Sequence, residues 1–295
     1  MYPFVSIITR TQDRPLFLAR CLASARQQSY PHWQQLIVND AGDAAEVDAL
    51  MQPLMRQHPQ RYVVLHRKKS CGMEAASNHG LAQASGDLVT LLDDDDTWNP
   101  KFLATMVEAY QRKRSPTVRG VVCRSLRILE TLQGANLTEA RREIYNAALW
   151  RVSLFELAAR NRFTVNAFVY DRKVIDEIGP YREDLPVVGD WEFNLRFLSK
   201  FDIDFVAEPL AAFHVRQGTV PESAGNTVTK GADLHQYYTN LLQNEFLRRD
   251  LADGQLGLGH LMASAAAWSS IIDNIEWETR ALAPFNRLLS RVQGR

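Results

Sequence analysis

Through the first hundred positions, apolar residues come in short runs separated by polar turns. Residues 4–9, 33–39, 61–66 and 87–92 each read as a buried strand rich in Val, Ile, Leu and aromatics. Between them, 14–28 sets Leu16, Leu18, Cys21, Leu22 and Ala25 at near-helical spacing. The turn Asp40-Ala41-Gly42-Asp43 can cap a second helix, and Gly72 to Ala84 reads as a third. Pro100 stands where a fourth would start. Strands that alternate with helices in this way predict an α/β fold with a mostly parallel sheet flanked by helices.

Beyond residue 117 the pattern loosens. Residues 118–124 and 163–170 read as strands, 152–160 and 189–199 as helices, and 203–214 as two short strands divided by Pro209. A polar loop, 218–231, precedes two helical patterns at 232–250 and 259–291, the second broken at Pro284. That second pattern carries Leu261, Ala265, Trp268, Ile271, Ile272 and Ile275 on one face.

The bulk composition excludes more than it selects. Thirty-four basic residues balance thirty-four acidic ones, so no overall field favours nucleic acid. Cys21, Cys71 and Cys123 are odd in number and far apart, which fits neither a zinc site nor a disulfide framework and predicts a reducing compartment. The first residues read as a strand rather than a signal peptide, and no uncharged apolar run could span a bilayer. A cytoplasmic setting is expected.

The chemistry gathers where strands end. Asp93, Asp94, Asp95 and Asp96 follow the fourth strand directly. Four adjacent carboxylates repel one another, and a fold that sets them at a strand end is expected to supply a cation. A solvated acidic turn is the plainer reading. Mg²⁺ binds through one or two carboxylates together with substrate phosphates, and open α/β sheets take ligands at the carboxyl ends of their strands. The other strand ends, Thr9-Arg10-Thr11 and Asn39-Asp40, would share that edge. Asp40 is placed either to accept a hydrogen bond from a base or sugar, or to cap the helix that follows.

Four segments follow in order, Val5-Ser6-Ile7-Ile8-Thr9, Ile37-Val38-Asn39-Asp40-Ala41-Gly42-Asp43, Gly72-Met73-Glu74-Ala75-Ala76-Ser77-Asn78 and Leu91-Leu92-Asp93-Asp94-Asp95-Asp96-Thr97-Trp98, with Gly189-Asp190-Trp191-Glu192-Phe193 downstream. In order and spacing they resemble family 2 glycosyltransferases. The resemblance runs to about residue 215. It implies a GT-A fold over 1–217, with a nucleotide-binding half at 1–100 and an acceptor half at 101–217, then the flexible loop 218–231 and a helical extension, 232–295.

It also implies a metal-dependent, inverting transfer from a nucleotide-diphosphate sugar, with UDP or dTDP favoured. The acceptor would be a glycan or a lipid-linked glycan of a bacterial surface polysaccharide. On this pattern Thr9, Thr11 and Asp40 line the base and ribose pocket. Asp93-Asp94-Asp95 resembles the Asp-x-Asp motif, with Asp95 the direct ligand of Mn²⁺ or Mg²⁺ and Asp93 and Asp94 nearer the ribose or the metal waters. His214 resembles a third ligand. Asn78 positions the pocket wall or the donor. The family often has Arg where this chain has Ser77, and Arg67, Lys68 and Lys69 lie just upstream as substitutes. Asp190 matches the base that takes the acceptor proton. Gly189 stands where the family has Glu, which leaves one carboxylate in place of a pair. Trp98 and Trp191 flank this centre and read as core packing in preference to sugar stacking. The tail is expected to pack on the body or form a homodimer. A membrane contact through Arg280, Arg287, Arg291 and Arg295 is the weaker expectation.

Two rival readings use the same residues. Asp93 to Thr97 also fits the Asp-x-Asp-x-Thr motif of haloacid dehalogenase-like phosphatases, although that motif normally closes a first strand and three strand–helix units precede it here. An inactive nucleotide-sugar-binding scaffold is the other, with Gly189 its best support.

Overall fold

The computed structural model describes residues 2–134, 136–217, 232–269 and 271–272. Strands β1 (Val5–Thr11), β2 (Trp33–Asn39), β3 (Tyr62–His66) and β4 (Leu88–Leu91) alternate with helices α1 (Pro15–Arg26), α2 (Ala44–Gln57) and α3 (Met73–Ala82). The strands lie in the order β3-β2-β1-β4 and all pair in parallel. Ile7, Ile8, Leu36, Ile37 and Leu88 are almost wholly buried, as both-face coverage of a parallel sheet requires. Pro15 opens α1, where its missing N–H loses no helical bond. Asp43 caps α2, its Oδ1 accepting from Ala45 N at 2.8 Å, and that leaves the Asp40 carboxylate for other partners.

The second half adds β5 (Thr97–Trp98), α4 (Phe102–Gln111), β6 (Val118–Gln133), β7 (Asn136–Tyr145), α5 (Leu154–Ala159), β8 (Phe168–Asp171), α6 (Ile175–Ile178), α7 (Gly189–Leu198), β9 (Asp202–Gln217) and α8 (Ala232–Asp253). The sheet continues β4-β8-β6-β9-β5 in mixed directions, with β7 on the flank of β6.

Two elements differ from the sequence reading. The strand expected at 118–124 runs on to Gln133 and returns through β7, a strand with no buried residue and so no alternation to detect. Residues 202–217 form one strand, not two. Its pairing with β6 slips between Cys123↔Val206 and Arg124↔Pro209, and a proline is tolerated at such an irregularity.

In the tail, α8 meets a second helical stretch at 258–269, with Leu242, Phe246, Met262 and Ala265 buried. Arg182 pairs with Glu245 at 2.8 Å and ties α8 to the segment before α7. Leu242, Phe246, Met262 and Ala265 pack within the chain, whereas Trp268, Ile271 and Ile272 of the expected apolar face are exposed. The loop 218–231, Pro284 and the four tail arginines lie outside the described residues. Among the described residues, no helix is long and apolar enough to cross a membrane.

Candidate active site

The carboxyl ends of β1, β2 and β4 and the amino ends of α3 and α7 meet along one edge of the sheet. Alternation along β1 sends Arg10 and Thr11 to opposite sides of it. Arg10 reaches toward α3. Its Nε donates to Asp93 Oδ1 at 2.8 Å and its Nη2 to Asp93 Oδ1 and Oδ2 at 2.5 and 2.7 Å. Its Nη1 donates to Ser77 Oγ at 3.1 Å and lies 3.7 Å from Glu74 Oε2. A cation thus reaches Ser77 from β1, not from the 67–69 triplet.

On the other side, Thr11 Oγ1 donates to Asp94 Oδ2 at 2.8 Å. Arg14, just before α1, lies 3.0 Å from Asp94 Oδ1 and 2.6 Å from Asp95 Oδ2. Arg216 from the end of β9 also pairs with Asp95. Arg14 and Arg216 both lie over the Phe17 ring, 5.2 and 4.6 Å from its centroid. Arg20 donates to the Asp95 carbonyl at 2.6 Å and pairs with Glu130 at 2.8 Å.

Asp94, Asp95 and Asp96 differ in proton affinity. Burial pushes Asp94 up to about 7 despite Arg14. It also pushes Asp96 well above the carboxylate range, although His214 N donates to Asp96 at 3.3 Å. Burial acts on Asp95 as well, but Arg14 and Arg216 outweigh it and hold that carboxyl below its ordinary value.

The side chains expected to hold a metal are engaged by other residues. Asp93 is held by Arg10, and Asp95 by Arg14 and Arg216. His214 spends both ring nitrogens, Nδ1 at 3.0 Å from Glu130 Oε2 and Nε2 at 2.9 Å from Thr97 Oγ1. Among the described residues, no three His, Cys, Asp or Glu side chains are grouped to hold a metal ion. Arginine side chains neutralise the acidic turn here.

Asp40 Oδ2 accepts from Ser70 Oγ at 2.7 Å and from Gly72 N at 3.3 Å, and Arg67 lies 3.1 Å from Oδ1. Thr9 sits one pleat deeper than Thr11 and is fully buried, accepting from Gln35 Nε2 at 3.0 Å beside Cys21, so it does not line the edge. Asn78 brackets Tyr181, donating to its carbonyl at 2.8 Å and accepting from its N–H at 3.0 Å. It braces the wall before α7.

Asp190 lies in the first turn of α7 behind Val188, whose φ is +59°. Its Oδ1 accepts from Trp191 N at 2.8 Å and its Oδ2 from Asn161 Nδ2 at 2.7 Å. Burial raises this carboxyl, against the opposing pull of the Trp191 N–H, Arg10 and His235 of α8. Trp98 and Trp191 are core residues. Trp98 stacks on Phe102 at 4.3 Å, and Trp191 Nε1 donates to Leu157 O at 2.6 Å.

Sequence reasoning missed Glu74, Glu130, Arg14, Arg20 and Arg216 as members of this site. Arg216 stands two positions after His214 on one strand face, a signal in plain view. Glu130 lies in the unanticipated part of β6.

Residues 6–152 match the family model described as Glycosyl transferase family 2. The chain is 27% identical over 195 residues to glycosyltransferase YwdF of Bacillus subtilis, covering 65% of this chain and 67% of that protein. It is 31% identical over 106 residues to TuaG of Bacillus subtilis, a glycosyltransferase named for teichuronic acid biosynthesis, covering 36% of this chain and 41% of that one. Among solved structures, mannosyltransferase PcManGT of Pyrobaculum calidifontis, in complex with GDP-Man and Mn²⁺, superposes with a TM-score of 0.57 at 17% identity over 95% of this chain and 84% of that chain. S. aureus TarS 1–349 with UDP-GlcNAc gives 0.51 at 15% identity over 73% and 60%. These structures share the GT-A fold with this chain.

Proposed function

We propose that this chain, a glycosyltransferase whose residues 6–152 carry the family 2 domain, moves a sugar from a nucleotide-diphosphate sugar to a hydroxyl of a surface-polysaccharide glycan or its lipid-linked precursor. The observation that carries the reading is the meeting of Asp40, Asp93 and Asp190 on one sheet edge, within a fold shared with two structures that hold sugar nucleotides.

Asp40, backed by Arg67, is the partner for the base or ribose. Arg10, Arg14 and Arg216 are the cations nearest the acidic turn, and fixed positive charge there stabilises a diphosphate as it leaves. Asp190 takes the proton from the acceptor hydroxyl while the acceptor oxygen bonds the anomeric carbon and the phosphate oxygen departs with its electron pair. Attack opposite the leaving group inverts the centre. Asp190 sits at a helix N-terminus, which favours its ionised form, yet its raised pKa keeps it basic enough for the task.

Dependence on Mn²⁺ or Mg²⁺ is supported by the Asp-x-Asp spacing and by the Mn²⁺ in the PcManGT complex. Asp93, Asp95 and His214 are the residues that would hold such an ion, which would stabilise charge on the leaving diphosphate, and in this conformation each is engaged by a protein partner. The phosphatase reading needs Asp93 as nucleophile, and both of its oxygens are held by Arg10.

The test is calorimetric titration with UDP, dTDP, GDP and CDP, with Mn²⁺ and with chelator, on wild type and Asp95→Ala. One nucleotide is expected to bind and its sugar derivatives to turn over. Failure of all four would sink the donor site.

A further inference from the structure

Position 189 carries no side chain because another residue fills its place. A Cβ there would lie 2.5 Å from Glu74 Oε1, 2.6 Å from the carboxyl carbon and 2.7 Å from Cγ. Glu74 comes from the first turn of α3, more than a hundred residues earlier in sequence, and is only 6% exposed. Its Oε2 has no hydrogen-bond partner, and the nearest cation on it is Arg10 Nη1 at 3.7 Å. A buried carboxyl left short of partners costs stability, so its retention against the first residue of α7 calls for a reason.

The neighbourhood supplies one. Glu74 adjoins the residue immediately before Asp190, and the two acids interact. Arg10 lies between Glu74 and Asp93, so a single guanidinium faces the acceptor-side acid and the donor-side acid together. The sequence predicts a lone carboxylate at Asp190, whereas the fold provides two.

We infer that Glu74 is a positioning residue for the transfer, supplying from α3 the second acidic group that position 189 lacks. This rests on Asp190 acting as the base. Glu74 acts through its neighbours. Once ionised, above about pH 7, it opposes the charge of Asp190, offsets the helix N-terminus and Arg10, and so keeps Asp190 a competent proton acceptor. It also holds Arg10 from the side away from Asp93. Burial pushes the Glu74 carboxyl up to about 7 against the pull of Arg10, with Asp190 and Asp93 adding to the rise, as expected of two acids that share a site.

The experiment follows nucleotide release from UDP-glucose, UDP-GlcNAc and GDP-mannose, with Mn²⁺ and with chelator, for wild type, Glu74→Gln, Glu74→Ala, Gly189→Glu and the double variant Glu74→Ala/Gly189→Glu. Both Glu74 variants are expected to lower kcat by about tenfold or more while donor KM moves little, a smaller loss than the roughly 10²–10⁴ expected when the base itself is removed. Gly189→Glu alone should be impaired by crowding. The double variant, which returns a carboxylate to the same place from the other helix, should regain much of the lost kcat. If Glu74→Ala fails to fold, the near-isosteric Glu74→Gln carries the comparison. Wild-type kcat in Glu74→Gln, or a double variant no better than Glu74→Ala, would overturn the inference and leave the transferase reading standing. No release by wild type from any of the three donors would count against that reading, and the inference would fall with it.

Discussion

Arg14 lies 2.6 Å from Asp95, so the carboxylate expected to hold a metal is held by a guanidinium. Arg216 closes on the same Asp95 oxygen, and both arginines are braced over Phe17. A divalent ion arriving alone must compete with two fixed cations for one buried carboxylate, and like charge opposes its approach.

Mn²⁺ without nucleotide is therefore expected not to bind. Titrating protein into Mn²⁺ should leave the free-ion paramagnetic resonance signal undiminished. A saturable loss of signal in wild type that disappears in Asp95→Ala would show that the arginines release Asp95 unaided.

Arg10 should matter to folding as well as to the site. It carries a bidentate pair with Asp93 and is the nearest cation on Glu74. Arg10→Ala strands both acids, and with Asp93 about one-quarter exposed the loss should be about 2 kcal/mol in urea unfolding. Arg10→Lys should recover only part of it, because an ammonium cannot reproduce the two parallel hydrogen bonds. Stability unchanged in Arg10→Ala would contradict the clamp.

Stability should rise as pH falls from about 8 to about 5.5. Glu74 and Asp94 hold protons up to about 7 when folded, against ordinary values of 4.5 and 3.8. Between those limits the folded chain binds more protons than the unfolded one, so acidification favours folding. At lower pH the sign reverses. Asp95 and Glu130 are held below their ordinary values by arginines and His214, and what they contribute is lost as they protonate. A melting temperature that is flat or falling from pH 8 to 6 would refute the upper limb.

Gly259 fixes how the tail packs. A Cβ there would lie 2.2 Å from Leu247 N and 2.3 Å from Phe246 C, both backbone atoms of α8. Gly259→Val must push the two helices apart and should cost roughly 1–3 kcal/mol, as overpacking does. Limited proteolysis should then cut the tail first. An unchanged melting temperature would mean that this contact contributes little.

The first half was legible because its strands are short, mainly apolar runs set between polar turns, and β1, β2 and β4 are buried along nearly their whole length. Asp40, Thr11, Asp93 and Asp190 were legible as strand-end or helix-start acids and hydroxyls, and the fold brings them to one edge. Thr9 shares the face of Thr11 yet ends under α1, a difference of one pleat that no local pattern encodes. The β6–β7 hairpin escaped notice because the exposed strand β7 is chosen by register with β6. The role of Glu74 was invisible for a related reason: its carboxyl is defined by Gly189, a contact set by tertiary packing alone.

Asp190→Asn separates binding from chemistry. The amide keeps the shape of the side chain and can still accept from Trp191 N, while its NH₂ takes the place of Oδ2 and faces Asn161, whose own amide flips to offer its Oδ1, so α7 should start as before. The partners of Asp190 are Trp191 N and Asn161, whereas Asp40 is held by Ser70, Gly72 and Arg67, so nucleotide affinity should be unchanged. What disappears is the only group proposed to take the acceptor proton, and the rate should fall by about 10²–10⁴. A variant that binds nucleotide as wild type does and turns over at background would fix Asp190 as the base. Full turnover would remove the proton acceptor from this reading. Equal loss of binding and rate would make Asp190 a structural acid, its work the start of α7 and no more.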